Sequence, residues 1–288
     1  MHIVFGANGR AGGETARALL ALGAPVRVVL REPEQAAPWS RLGAEIAITS
    51  IEDAQGMVSA LSDASGAFLL SPAASSGNPY QRGDDVGLAL ASAVRRARVP
   101  KIVALSSVGA QHEVGTGIVS TLHSLERHLA GAVPSTTFLR PAYFLETWEE
   151  VAQPAILDGV LPSFLAPERR IPMVSTVDVG RLAATLLLED FVGQRIVQLA
   201  GPKECSANDV AASFSQVLGR PVNVDFVPVE ARALALSEAG VSPQVAQALI
   251  EMYDGIESGL VAFDARLEHR RGSMSLIDAV SRIVSKHR

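Results

Sequence analysis

Lysine is almost missing from this chain. Only Lys101, Lys203 and Lys286 occur among 288 residues, although lysine and arginine together number 25. Cysteine is rarer: Cys205 stands alone, which excludes an intrachain disulfide and a Cys-x-x-Cys metal site. A lone cysteine suits a reducing compartment, so a cytoplasmic location is expected. Aromatic residues make up 5%, too few for the stacking platforms of single-strand binders. The 30 acidic residues outnumber the basic ones and leave a formal charge of -5. No basic face is available for a phosphate backbone, and no nucleic-acid partner is expected. No run of 18 or more apolar residues lacks charges or breakers, so no membrane span is expected. The opening MHIVFGANGR lacks a basic region followed by a long apolar stretch, so no signal peptide is expected either. HExxH, GxxxxGK[ST] and GxSxG are also absent, which argues against a zinc peptidase, a P-loop NTPase and a triad hydrolase.

What is present is a core-forming composition, 48% hydrophobic and 19% charged. Through the first 150 residues, strand and helix signals alternate. Strands are expected at His2–Phe5, Pro25–Leu30, Glu45–Ile48, Gly66–Leu70, Lys101–Ser106 and Ser135–Leu139. Helices are expected at Gly12–Leu22, Ala54–Leu61, Asp84–Arg98 and Val119–Ala130. This alternation predicts an α/β fold with a doubly wound parallel sheet of Rossmann type. After Pro141 the pattern loosens. Helices are expected near 145–158 and 177–189 and over Asn208–Leu218, Val229–Ala239, Pro243–Tyr253 and Ser275–Val284, with a strand at Arg195–Leu199. Residues 1–150 are expected to form the nucleotide-binding domain. Residues 151–288 are expected to form a smaller, mostly helical lobe, with some segments returning to the main sheet.

The strongest motif is Gly6-Ala-Asn-Gly9-Arg-Ala-Gly12-Gly13, placed between the first strand and a helix. Glycines permit a tight turn and let a ligand approach the backbone. The helix behind them directs free N–H groups and partial positive charge at that ligand, and a pyrophosphate fits this field. Asn8 is expected to hold the loop through a bond to the backbone. Arg31 ends the second strand, where an acidic residue selects a ribose hydroxyl and an arginine accommodates a 2′-phosphate. NADP(H) is therefore expected over NAD(H), unless the adjacent Glu32 turns inward and reverses the choice.

The segments GANGRAGGETARALL, VRVVLREP, AFLLSP, VALSSVGA and TTFLRPAYFLE resemble the NmrA-like branch of the atypical short-chain dehydrogenase/reductases. So do IPMVSTVDVGRLAATLL, VQLAGP and VLGRPV. The resemblance implies a Rossmann-type NAD(P)-binding domain, with the C-terminal lobe shaping a cleft over the nicotinamide. By the same resemblance, Gly6, Asn8, Gly9, Arg10, Ala11 and Gly12 line the pyrophosphate, and Arg31 holds the adenosine 2′-phosphate. Leu70, Ser71 and Pro72 border the middle of the cofactor, Ser106 and Ser107 the nicotinamide ribose, and Pro141, Tyr143 and Phe144 the nicotinamide. The family often carries an aspartate near Ser50 for the adenine. Here Ser50 offers a hydroxyl or Ile51 a backbone contact, while Asp53 is expected to cap the following helix.

The wider superfamily uses Tyr-x-x-x-Lys, in which the lysine lowers the pKa of the tyrosine. Four residues beyond Tyr80, Tyr143 and Tyr253 stand Asp84, Thr147 and Glu257, so the motif is absent. His123, near where the family carries lysine or histidine, is the expected proton carrier. Ser107 and Tyr143 are the other candidate catalytic residues. His112 is a further candidate from its loop, and His128 is expected to be solvated. Pro162–Phe164 and the helices near 229–253 are expected to wall an apolar acceptor pocket. The reading is an NAD(P)H-dependent reductase of a small flat acceptor of quinone or enone type, with a non-catalytic redox sensor acting through a protein partner as the alternative. An isomerase is disfavoured because such enzymes keep the tyrosine and lysine. A homodimer is left open.

Overall fold

The apolar runs of four to eight residues become strands that are covered on both faces, as a parallel sheet requires. The computed structural model describes residues 1–72 and 74–287. The first half runs β1 (His2–Phe5), α1 (Arg10–Ala21), β2 (Val26–Leu30), α2 (Ala37–Arg41), β3 (Glu45–Ile48), α3 (Ala54–Ala60), β4 (Gly66–Leu69), α4 (Pro79–Arg96), β5 (Lys101–Leu105), α5 (Ser120–Leu129) and β6 (Ser135–Pro141). It continues with β7 (Tyr143–Phe144), a 3-10 stretch over Leu145–Val151, α6 (Ala152–Asp158), β8 (Val160–Ser163), β9 (Ile171–Val174), α7 (Thr176–Leu188) and β10 (Gly193–Ala200). The last elements are β11 (Glu204–Cys205), α8 (Ala207–Leu218), β12 (Asn223–Phe226), α9 (Val229–Glu238), α10 (Pro243–Glu257), β13 (Glu268–Arg271) and α11 (Leu276–Lys286).

Eight strands form one sheet in the order β13-β10-β6-β5-β4-β1-β2-β3, and every neighbouring pair is parallel. The expected doubly wound Rossmann-type sheet is therefore present. β1 lies between β2 and β4, so the strand order reverses there, and the crevice beyond the carboxyl ends at such a switch point is where ligands bind. One face is covered by α1 and α7 through Ala16, Leu19, Ala183 and Leu187. The other is covered by α3, α4 and α5 through Met57, Leu90, Val94 and Leu125. A third core, built from residue 145 onward, gathers Trp148, Leu161, Phe214 and Ile283.

Several element ends differ from the sequence reading. α1 starts at Arg10 rather than Gly12, because the glycine turn passes directly into the helix. α4 starts at Pro79 rather than Asp84, because the Asn78 side chain accepts from the Tyr80 and Gln81 amides. Beyond β6 the chain also forms two small sheets, β11-β9-β7 and β12-β8. Their strands of two to four residues are too short to show a period. β13 reads EHRR and closes one edge of the large sheet with charged side chains.

Candidate functional site

The residues singled out from the sequence cluster at the carboxyl ends of the parallel strands. Gly6 follows β1, Arg31 follows β2, Leu70 and Ser71 follow β4, Ser106 and Ser107 follow β5, and Pro141 ends β6. The turn after β1 needs its glycines. Gly6 has φ +66°, and a Cβ there would stand 2.7 Å from a methyl of Leu70. The Gly9 amide donates to the Gly6 carbonyl at 2.9 Å, and a Cβ on Gly12 would fall 2.3 Å from that same oxygen. The first turn of α1 has no side-chain cap and no acidic residue, so its positive end is uncompensated. This bare, glycine-surfaced helix start fits the phosphates of a dinucleotide.

Asn8 does not bond the backbone as expected. Its Oδ1 accepts from the Trp39 indole at 2.8 Å, because α2 brings that buried ring under the turn. The Arg17 guanidinium lies over the same ring at 5.3 Å. Trp39 was not anticipated from the sequence. Arg10 pairs with Glu150 at 3.1 Å and so links the turn to the 3-10 stretch that follows β7. Arg31 is exposed and has no ion pair or hydrogen bond among the described residues. The Ser50 carbonyl accepts from the Asp53 amide, and Asp53 caps α3 by accepting from Gly56 at 2.8 Å.

Beyond Leu70, which abuts Gly6, opens a cavity of about 1110 Å³. Leu70, Ser71, Ser106, Ser107, Pro141, Tyr143 and Phe144 line its sheet side. Pro162, Phe164, Leu236, Leu249, Met252 and Tyr253 line its lobe side. Ser106 is buried and donates to Glu126 at 2.5 Å. The Glu126 carboxylate in turn receives both forks of Arg140, at 2.8 and 2.6 Å. Ser107 donates to the Val108 carbonyl at 2.9 Å. The hydroxyls of Tyr143 and Tyr253 lie 3.2 Å apart, and burial pushes the pKa of both upward. Tyr253 and Glu126 were also missed in the sequence. The signal for Tyr253 is its place beside Met252 and Ile256 on the apolar face of α10.

The structure does not bring His123 to the cavity wall. Its Nδ1 bonds the Ala110 carbonyl at 3.0 Å instead. His112 is absent from the wall as well. His128 is not solvated as expected: its ring bonds Asp84 at 2.7 Å, with the side chain 17% exposed. Asp84 also accepts from Ser124 at 2.6 Å and Arg127 at 3.1 Å. These donors, Ser124 first and then His128, hold the Asp84 carboxyl at about 2. Among the described residues, no cluster of three potential metal ligands is found.

A glycine turn opening a helix at the switch point of a parallel doubly wound sheet defines the class, a Rossmann-type dinucleotide fold with an attached lobe. Within that class, the model of the NmrA-like family matches residues 2–269, and the chain belongs to this family. It is similar to the NAD(P)H azoreductase of Xenophilus azovorans, with 24% identity over 255 residues covering 88% of this chain and 86% of the relative. A Citrobacter triphenylmethane reductase complexed with NADP(H) shares the fold with a TM-score of 0.81 at 19% identity, covering 98% of this chain and all of that one. An NADPH-dependent quinone oxidoreductase from Escherichia coli, complexed with NADPH, gives 0.82 at 21% identity, covering 99% of this chain and all of that one.

Proposed function

We propose that this chain is an NADPH-dependent reductase of a small, flat, largely apolar acceptor of quinone or enone type. The observation that carries this reading is the largely apolar cavity lined by Leu70, whose side chain also abuts Gly6 of the glycine turn. The similarity to an NAD(P)H azoreductase, a triphenylmethane reductase and an NADPH-dependent quinone oxidoreductase supports the reductase part of this reading. Bound NADPH would supply hydride chemistry.

The residues of this chain bind, orient and exclude water. The backbone of Gly6 and Gly9–Gly12 holds the pyrophosphate, and Arg31 meets the 2′-phosphate. Leu70, Ser71 and Pro72 flank the middle of the nucleotide, and Ser50 the adenine end. The Glu126–Arg140 pair fixes Ser106 at the end of β5, so that Ser106 and Ser107 border the nicotinamide ribose. Pro141, Tyr143 and Phe144 pack by the nicotinamide itself. The apolar walls keep water from the acceptor. Ser107 and Tyr143 are polar groups that border the acceptor space, whereas His123 stands outside it.

Calorimetric titration of NADPH, NADP, NADH and NAD tests the nucleotide reading, with NADPH expected to bind tightest. The tightest reduced nucleotide is then followed with quinone, enone and azo acceptors, and its oxidation is expected with at least one. A chain that binds nucleotides but oxidises none of them with any acceptor favours the second reading, a redox sensor. The absence of Tyr-x-x-x-Lys motivates that alternative. A sensor must also bind NADP and NADPH with different affinities.

A further inference from the structure

Two tyrosines from distant parts of the chain meet in the cavity wall. Tyr143 belongs to β7, directly beyond the sheet, and Tyr253 to α10, 110 residues later. Their hydroxyl oxygens are 3.2 Å apart. Both rings are held from behind. Tyr143 lies against Trp148 with centroids 6.2 Å apart, and Tyr253 meets Phe164 edge-on at 5.2 Å. Phe164 is in turn pinned by buried Arg232, which lies over its ring at 5.6 Å and donates to its carbonyl at 2.9 Å. Neither tyrosine can easily swing away.

Proton counting then points to a ligand. Two hydroxyls carry two protons, and one of them fills the bond between the oxygens. The Thr147 hydroxyl stands by Tyr143 as a donor, and the Glu150 carboxylate lies near both rings without a resolved hydrogen bond to either hydroxyl. One O–H, that of Tyr253, is therefore left to face a largely apolar cavity, and such a group costs free energy unless something accepts from it. We infer that Tyr143 and Tyr253 together form a donor site that grips a lone pair of the acceptor, a quinone or enone oxygen, with the flat apolar body of the acceptor against the cavity walls. The inference rests on the reductase reading for the class of acceptor, whereas the donor site itself needs no nucleotide. It makes the cavity selective: a hydrocarbon of the same outline leaves the hydroxyl unpaired and is rejected. Burial keeps both hydroxyls protonated well past neutrality, so this selectivity is flat across the neutral range.

The test uses the full chain without nucleotide and two probes of similar shape, 2-methyl-1,4-naphthoquinone and 2-methylnaphthalene. Equilibrium dialysis gives the affinity for each. The wild type is expected to prefer the quinone. In the Tyr143→Phe, Tyr253→Phe double variant the quinone is expected to weaken about tenfold while the hydrocarbon changes less than about twofold. Each single variant keeps one hydroxyl and is expected to show an intermediate preference. A double variant that keeps the wild-type preference, or loses both probes equally, overturns the inference. Should the double variant melt below the assay temperature, the wild type decides alone, and equal affinity for the two probes overturns the site. The two readings fail separately. Nucleotide binding and quinone turnover with an unaltered preference in the double variant remove the tyrosine site only. Tyrosine-dependent quinone binding with no nucleotide binding removes the reductase reading only.

Discussion

At the scale of single residues, Arg31 is the sharpest determinant. It is exposed, unpaired among the described residues and placed at the end of β2, where a 2′-phosphate would meet it. Arg31→Ala is expected to weaken NADPH by ~1.5–3 kcal/mol, the scale of a hydrogen bond to a charged group. NADH should be little affected, and calorimetry of both nucleotides checks this. Equal losses would show that Arg31 does not read the phosphate. Residues of this kind are legible in a sequence because their meaning is local. Gly6, Gly9 and Gly12 announce a turn through their spacing together with their place between a strand and a helix, and Gly6 and Gly12 leave no room for a side chain. Trp39 and Tyr253 carry no such signal. The first matters through Asn8, 31 positions away, and the second through Tyr143, 110 positions away. Glu126 reads as an exposed helix charge until Ser106 and Arg140 are folded against it. His123 fails for the opposite reason. Its position along the chain is suitable, but the rotation of α5 gives its ring to the Ala110 carbonyl.

At the scale of elements, two seams hold the layers. Between α4 and α5, Asp84 collects Ser124, His128 and Arg127. Its carboxyl is lowered from 3.8 to about 2, so its contribution is complete above the ordinary carboxylate range and is lost as pH falls through about 2. The Asp84 side chain is 33% exposed, so solvent screening limits the effect to about 1 kcal/mol or less. Asp84→Asn is expected to lower Tm slightly at neutral pH, and the gap from wild type should close between about pH 4 and pH 2. Melting curves across that range check it, and a gap that persists at the acid end contradicts it. Between α1 and α7, contact is tighter. A Cβ on Gly180 would stand 2.4 Å from the carbonyl carbon of Glu14, in backbone rather than in a movable side chain. Gly180→Ala is therefore expected to cost about 1–3 kcal/mol through overpacking, measured by denaturant titration. The long elements were legible, because each shows its own period and cap. The short strands of the lobe were not, because β7, β8, β9, β11 and β12 exist through pairing with one another.

At the scale of the whole molecule, the chain leaves the sheet and comes back. After β7 it builds part of the third core, returns as α7 and β10, goes out again through α8–α10, and returns as β13 before α11 closes the lobe. Residues 1–150 alone would lack α7 over α1 and β10 beside β6. A fragment of these residues is expected to melt broadly, without the single cooperative transition expected of the full chain. Calorimetry compares them, and a sharply melting fragment refutes the expectation. The same topology has a consequence for synthesis. Ser135 of β6 pairs with Gly193 of β10, so a strand edge waits for a partner that is not yet translated. At ~5–20 residues per second the ribosome needs several seconds to deliver it. For that interval the nascent sheet offers an open, sticky flank, and a chaperone bound there would have its natural moment.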